Sequence, residues 1–185
     1  MSAQALLVMD FQPPNVAAVG GDDGPVLAAA VSAVDAARKA GVPIIHVRVA
    51  FRDGYREVNA ANKNMSPLTG YGDVFIETSA TSQIHPAITV APEDSVVVKR
   101  RVSAFASDLA PLLSGLGVTK LVLAGIVTSG VVLSTVRHAS DADFELTVLS
   151  DACGDPDPVV HQVLIEKIFP QQAEVVTVKE WADTL

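Results

Sequence analysis

Two charged side chains, Asp10 and Lys99, each end a buried apolar stretch of the sequence, and together they could perform acid/base chemistry. Asp10 closes the stretch ALLVMD and Lys99 closes SVVVK. An aspartate at the end of a buried strand needs a partner, because desolvation disfavours its charge. If the two strands converge, Lys99 is the obvious partner, and the pair would form a polarised acid/base couple in a cleft. A purely structural ion pair is the alternative interpretation.

The turn GIVTSGV at 125–131 is a third candidate, because it joins a buried strand to a helix. Backbone N–H groups at a helix N-terminus lack partners, and the helix dipole favours negative charge there. Such a turn can bind a carboxylate or stabilise an oxyanion. Its polar side chains, Thr128 and Ser129, could equally be plain helix caps.

Six short apolar stretches predict the strands that position these residues: 5–9, 42–49, 95–99, 121–127, 146–150 and 174–178. They are continuous and do not alternate with polar residues, which is typical of strands covered on both faces in a parallel sheet. Helical patterns lie between them at 26–39, 107–116, 131–141 and 158–168. The alternation predicts an open α/β sheet with helices on both faces, in one domain over residues 1–185. Ligands of such sheets bind at the carboxyl ends of the strands.

Composition excludes several function classes. Hydrophobic residues are 49% of the chain and charged residues 18%, which favours a folded globular domain. The net charge of −8 argues against a nucleic-acid partner. No apolar stretch is long enough for a membrane span, and the N-terminus is predicted to be a first strand, not a signal peptide. Cys153 is the one cysteine, so an internal disulfide is excluded and a cytoplasmic location is expected.

Residues 50–94 break the alternation of strands and helices. They contain both tyrosines, Tyr55 and Tyr71, together with two arginines, three asparagines and three glycines. A long irregular excursion within a compact domain favours a functional loop, a lid or a subunit contact. An irregular surface loop without function is the alternative.

Four separated stretches together resemble the isochorismatase-like hydrolases, a superfamily that includes nicotinamidases and N-carbamoyl amidases: VMDFQ at 8–12, VVVKRRVSAF at 96–105, GIVTSGVVLSTVRHA at 125–139 and VLSDAC at 148–153. The resemblance implies a three-layer, Rossmann-like fold with a six-stranded parallel sheet flanked by helices. It also implies a homodimer or homotetramer. A zinc site like that of nicotinamidases is not expected, because residues 50–94 supply only His85, and no cofactor is predicted.

The resemblance assigns roles to individual residues. Amidase members use an Asp–Lys–Cys triad, which maps onto Asp10 as general base and Lys99 as its partner. Counted from Gly125 and Thr128, the position of the nucleophilic cysteine falls on Val131. Valine cannot form a thioester, so the usual covalent route is excluded. Cys153 is predicted to be a buried, inert thiol.

Isochorismatases proper offer a precedent without cysteine, since their aspartate protonates a vinyl ether that water then attacks. Val131 departs from the glycine of that subgroup and would crowd the substrate. The resemblance also implies a cis peptide at Val127–Thr128. The predicted substrate- or oxyanion-binding residues are Phe11, Gln12, Val127, Thr128 and Gly130.

Two functions follow from these patterns. The first is a cysteine-independent hydrolase of a small anionic or carbonyl-bearing metabolite, with Asp10 and Lys99 at its centre. The second is an inactive family member that binds a small molecule or serves as a scaffold.

Overall fold

The computed structural model describes residues 3–185, in which six strands form a parallel sheet. The strands are β1 Gln4–Met9, β2 Ile44–Val49, β3 Ser95–Lys99, β4 Lys120–Ile126, β5 Glu145–Gly154 and β6 Glu174–Val176. Their order across the sheet is β3-β2-β1-β4-β5-β6. All five neighbouring pairs are parallel. The predicted α/β fold with a six-stranded parallel sheet is confirmed.

Six α-helices flank the strands within residues 3–185: four fall on the predicted helical segments, although the predicted 158–168 helix becomes π-helical after Val163, and two, after β1 and after β6, are not predicted from the sequence. They are α1 Pro13–Ala17, α2 Pro25–Ala40, α3 Leu109–Gly115, α4 Leu133–Asp141, α5 Pro158–Val163 and α6 Val178–Ala182. Pro25 stands in the first turn of α2, where its missing N–H costs nothing. Gly41 ends this helix with a φ of 70°, a left-handed conformation that glycine adopts without strain. No helix within residues 3–185 has the length and apolarity that crossing a membrane requires.

The helices cover the sheet on both faces, and each face has its own hydrophobic core. Side chains of β1 alternate between the two cores, as the period of a strand requires. Leu6 and Val8 pack in the core that contains Leu27 of α2 and Trp181 of α6. Leu7 and Met9 pack in the other core, which α3, α4 and the segment after α5 complete. Burial on both faces explains the continuous apolar stretches.

Residues 50–94 form an excursion at the carboxyl edge of the sheet. Short 3₁₀ segments, Asp53–Tyr55, Ser66–Phe75 and Ala80–Ser82, replace regular helices here, and one isolated bridge pairs Phe51 with Ile76. A third hydrophobic cluster holds the excursion against the sheet, with buried Val49, Phe51, Tyr55, Met65, Phe75 and Ile76.

The strand order reverses at β1. The chain passes from β1 through β2 to β3 at one edge, and then returns to place β4 on the other side of β1. At such a switch point the loops after the two central strands diverge and leave a crevice. The loops after β1 and β4 contain Asp10 and residues 127–131.

Candidate active site

Asp10 follows β1 in a sharp backbone turn. Its φ of 58° lies in the left-handed region, which residues other than glycine seldom adopt and which aspartate tolerates better than most. The N–H of Gln12 donates to the Asp10 carbonyl at 2.8 Å, and Nδ2 of Asn15 donates to the same oxygen at 2.9 Å. These bonds hold the turn in which the carboxylate reaches Lys99.

Lys99 ends β3 and meets Asp10 across the end of an intervening strand. Its backbone pairs with Val49 of β2, and β2 in turn separates β3 from β1. Nζ lies 2.8 Å from Oδ2 of Asp10 and also donates to the carbonyl of Arg101 at 3.1 Å. The exposed fractions of the two side chains are only 2% for Lys99 and 8% for Asp10. The structure thus brings together the two residues that the sequence singled out.

The two carboxylate oxygens of Asp10 have different surroundings. Oδ2 pairs with Lys99, whereas Oδ1 is buried without a hydrogen-bond partner in residues 3–185. Burial raises the pKa of this carboxyl above its ordinary value, and the charge of Lys99 opposes the rise. Since a buried polar atom without a partner is costly, Oδ1 is a strong candidate to receive a hydrogen bond from a ligand.

Asp10 and Lys99 line a cavity of about 140 Å³ at the switch point. The amide side chains of Asn15 and Asn64 also line it. The remaining walls are mainly apolar: Val49, Ile126, Val127 and Val131 come from strand ends and the turn, whereas Met65, Leu68 and Phe75 come from the excursion. The arrangement places a buried ion pair in the wall of a mainly apolar cavity, where a bound molecule could exchange a proton with it.

The turn after β4 supplies one wall of the cavity. Its cis peptide lies at Ile126–Val127, so the prediction of a cis bond at Val127–Thr128 is wrong by one residue. Val127 is extended, and its carbonyl accepts the N–H of Gly130 at 3.0 Å. A π-helical turn, Thr128–Val132, follows and continues into α4. Val127 and Gly130, two of the predicted binding residues, line the cavity, and so does Val131 at the predicted nucleophile position.

Three of the predicted binding residues lie elsewhere. Phe11 packs in the core beneath α2. The amide of Gln12 is fully used by the backbone, because Nε2 donates to the carbonyls of Val49 and Ser82, and Oε1 accepts the N–H of Val49. Thr128 is buried with its hydroxyl 2.9 Å from Nδ1 of His161. These side chains hold neighbouring segments together and do not line the Asp10 cavity.

Cys153 is buried in β5 and is not among the residues that line the Asp10 cavity. Burial raises the pKa of its thiol to about 12, so the thiolate is scarcely populated at neutral pH. Its Sγ lies 3.8 Å from the carbonyl oxygen of Leu123, on the next strand. The thiol is therefore neither ionised nor placed to attack a ligand beside Asp10.

The histidines are separated from one another. His46 contacts Asp94 at 3.1 Å, His85 contacts Asp22 at 3.3 Å, and His138 stacks on Phe105 with 4.5 Å between ring centroids. Within the described part of the chain, no group of three or more His, Cys, Asp or Glu residues is placed to hold a metal ion.

Several residues of the cavity escaped the sequence analysis. Asn15 lies in α1, and its position shortly after the end of β1 is the sequence feature that could have predicted its place in the cavity. Asn64, Met65 and Leu68 belong to the excursion, whose composition indicated a functional segment but not which residues face inward. Val102 follows the Lys99 motif and lines the cavity from there.

Comparison with known proteins assigns the chain to a family. The Isochorismatase domain matches residues 4–180. A protein of Arabidopsis thaliana, named a probable inactive nicotinamidase, is 30% identical over 98% of this chain and 95% of its own length. The uncharacterized isochorismatase family protein YecD of Escherichia coli O157:H7 is 31% identical over the same shares.

Solved structures give the same result. An isochorismatase family protein from Burkholderia thailandensis superposes with a TM-score of 0.85 at 26% identity, over 99% of this chain and 96% of the other. The sequence match and the superposition each span nearly the whole chain. The chain belongs to the isochorismatase family.

Proposed function

We propose that this chain is a hydrolase of a small molecule that works without a cysteine nucleophile, through Asp10 and Lys99. The observation that carries the proposal is the buried Oδ1 of Asp10, which has no partner in residues 3–185 although its carboxylate lines a cavity. A carboxyl that serves only a structural ion pair would be expected to have both oxygens satisfied.

In the proposed reaction Asp10 acts first as an acid. Burial raises the pKa of Asp10 and so favours the protonated form that can donate. Asp10 gives this proton to the substrate, and the charge of Lys99, 2.8 Å away, stabilises the carboxylate that remains. A water molecule attacks the activated carbon, its proton returns to Asp10, and the net change is the addition of one water across the cleaved bond.

Val131 is the reason that water, and not a side chain, is the nucleophile in this proposal. The resemblance described above maps the nucleophilic position of the amidases onto this residue. Val131 is buried, and its hydrocarbon side chain forms part of the cavity wall. A covalent intermediate on this side chain is chemically impossible, whereas the acid/base pair needs none.

A non-catalytic ligand-binding protein is the second candidate. The Arabidopsis relative that is named probable inactive favours it. In this alternative the ion pair shapes the cavity and a small molecule binds without being cleaved.

For either candidate we propose a cytoplasmic homodimer or homotetramer with a small molecule as its partner and no nucleic acid. The acidic net charge supports the last point. Size-exclusion chromatography with light scattering tests the assembly, and a monomer at all concentrations would contradict it.

The test is a screen for hydrolysis of amides, esters and vinyl ethers by the wild type and Asp10→Asn. The substitution keeps the shape of the side chain but removes its acid, so we expect a loss of about a hundredfold or more. Asp108→Asn, which neutralises an exposed aspartate before α3, is the matched control and should retain activity. Hydrolysis that survives Asp10→Asn unchanged refutes the mechanism. Binding without turnover supports the non-catalytic candidate.

A further inference from the structure

We infer that a second cavity binds an uncharged small molecule whose hydrogen-bond acceptor receives the Nε2–H of His161. This space, the His161 cavity, lies where the end of β5 and the start of α5 meet the loop between α1 and α2. None of the described residues lines both this cavity and the Asp10 cavity. The inference therefore goes beyond the proposed function and does not depend on it.

The His161 cavity is large enough for a small ligand. Its volume is about 320 Å³, more than twice the 140 Å³ of the Asp10 cavity. Small-molecule pockets of proteins measure roughly 300–1,000 Å³ and are mainly apolar with a few polar groups. Most of the walls here are hydrocarbon, from Ala18, Val19, Val26, Pro156 and Pro158. The cavity therefore suits a molecule with an apolar body.

Tight packing gives this cavity its shape before any ligand binds. Gly154 ends β5, and a Cβ atom on it would come within 3.1 Å of Cγ2 of Val26 and 3.3 Å of Cβ of Val19. Asp157 fixes the start of α5, because its carboxylate accepts the N–H of Val159 at 2.9 Å. A ligand that enters a preformed cavity loses little binding free energy to the ordering of the protein.

The proton of the His161 ring can be placed from its contact with Thr128. Nδ1 of His161 lies 2.9 Å from the Thr128 hydroxyl, which is fully buried and has no other hydrogen-bond partner within residues 3–185. The hydroxyl hydrogen must therefore point to Nδ1, because a buried donor without an acceptor is costly. In a neutral imidazole whose Nδ1 accepts, Nε2 carries the proton.

Nε2 of His161 is consequently a free donor. Burial lowers the pKa of His161, and the charge of Asp155 opposes this, so the neutral ring prevails at neutral pH. The ring is half-buried and lines the cavity, and no acceptor within residues 3–185 bonds to Nε2. A carbonyl, ether or hydroxyl oxygen of a ligand can accept this N–H.

The charge of the walls favours an uncharged ligand. Asp155 is the one acidic residue among the described lining residues, which include no lysine or arginine, and the Cys153 thiol stays protonated with a pKa of about 12. Both oxygens of Asp155 are engaged, by the N–H of Ser129 at 2.8 Å and of Asp157 at 3.1 Å. An anion would lie beside a fixed negative charge without a cation. An ammonium group cannot accept the Nε2–H.

The first experiment compares acetophenone with benzoate and α-methylbenzylammonium, which have the same number of non-hydrogen atoms but carry opposite charges. Each is titrated into the isotope-labelled full chain at neutral pH, and binding is followed by NMR. We expect acetophenone to bind at least roughly tenfold more tightly than either ion. It should shift the signals of Gly154 and His161 and leave those of Lys99 unchanged.

The second experiment tests the donor. His161→Phe keeps a ring and removes the N–H, and α-methylstyrene has a methylene group in place of the acetophenone oxygen. The substitution should weaken acetophenone binding roughly tenfold and change α-methylstyrene binding by less than about twofold, because only the ketone loses a hydrogen bond. The nitrogen chemical shifts of the wild-type imidazole should place the proton on Nε2.

Two neighbouring variants test the location. Ala17 and Ala18 are both exposed, but Ala18 alone lines the cavity. Ala18→Trp should fill the entrance and abolish acetophenone binding, whereas Ala17→Trp is the matched control and should retain it. If Ala18→Trp does not fold, the comparison made with His161→Phe decides.

Five results would each overturn the inference: no binding of acetophenone, equal or tighter binding of either ion, equal weakening of both neutral probes by His161→Phe, a proton on Nδ1, or binding that survives in folded Ala18→Trp. None of them bears on the proposed hydrolase, because Asp10 and Lys99 lie outside this cavity. Loss of hydrolysis in Asp10→Asn likewise leaves the second site untested by that variant and intact.

Discussion

Gly125 and Val132 lie so close that a Cβ atom on Gly125 would come within 2.9 Å of Cγ2 of Val132. On the other side, Cβ of Met9 would lie 3.3 Å away. Val132 is fully buried and its branched side chain has little freedom to move. The end of β4 therefore needs glycine so that the first turn of the following helix can pack directly on the sheet.

Gly125→Ala should lower the free energy of unfolding by about 1–3 kcal/mol, as overpacking of a core does. Urea denaturation measures the change. Gly115→Ala is the matched control, since nothing lies within 4 Å of the position that its Cβ would take. An unchanged Gly125→Ala variant would show that Val132 and Met9 can move apart.

Removal of the Lys99 charge should destabilise the fold, because Asp10 is buried beside it. We expect Lys99→Met to lower the free energy of unfolding by about 3–5 kcal/mol, because one buried charge is left without its partner. The double variant Asp10→Asn/Lys99→Met should recover much of this loss. Lys120→Met, on a half-buried lysine 4.0 Å from Glu174, should change stability little. A double variant no more stable than Lys99→Met would contradict a coupled pair.

The pH dependence of stability should report the shifted pKa of Asp10. Burial raises this pKa above 3.8, so the native state binds a proton more tightly than the unfolded chain does. The resulting stabilisation is fully present below pH 3.8, the ordinary pKa of an aspartate. It is lost as the pH rises through the pKa that Asp10 has in the native state. The wild type should therefore lose stability relative to Asp10→Asn over that interval, measured by denaturation at each pH. A wild type that gains stability relative to Asp10→Asn as the pH rises would mean that the charge of Lys99 outweighs burial.

Val131→Cys should test whether the turn retains the geometry of a thiol hydrolase. A cysteine here stands in the first turn of a helix and lines the same cavity as Lys99, and a helix N-terminus and a nearby cation both lower the pKa of a thiol. We expect a covalent acyl-enzyme with activated esters, detected by mass spectrometry of the intact protein. Val132→Cys, which places the thiol in the core against Gly125, should remain unmodified. Equal acylation of the two variants would show that position 131 does not belong to the active site.

Thr128→Val should affect stability and leave hydrolysis unchanged, because the Thr128 hydroxyl contacts His161 and not the Asp10 cavity. Loss of this hydrogen bond should lower the free energy of unfolding by about 1 kcal/mol. Calorimetry measures the stability, and the hydrolysis screen described above measures the function of the site. Weaker hydrolysis at unchanged stability would show that Thr128 contributes to the binding site.

The sequence predicted the sheet and the central pair for one physical reason. Strands buried on both faces are continuously apolar, so a charged residue at a strand end such as Asp10 or Lys99 is conspicuous. Phe11 and Gln12 follow Asp10 in the sequence, but after the left-handed turn at Asp10 neither side chain lines the cavity. Phe11 enters a core, and Gln12 bonds the end of β2.

The walls supplied by the excursion could not be predicted in the same way. Met65, Leu68 and Phe75 lie in or beside a 3₁₀ segment that bends at Gly72, where φ is 61°. Such a segment has neither the helical nor the strand period that assigns a side chain to a face. Only packing against the sheet determines which of its residues turn inward.

The alternation of β1 between two cores constrains the length of this strand. Leu6 and Val8 serve one core, whereas Leu7 and Met9 serve the other. Deletion of a single residue within this strand would transfer side chains to the opposite layer, because the period of a strand is two. It would also withdraw Asp10 from Lys99. We therefore expect this strand to tolerate the exchange of one aliphatic side chain for another better than an insertion or a deletion.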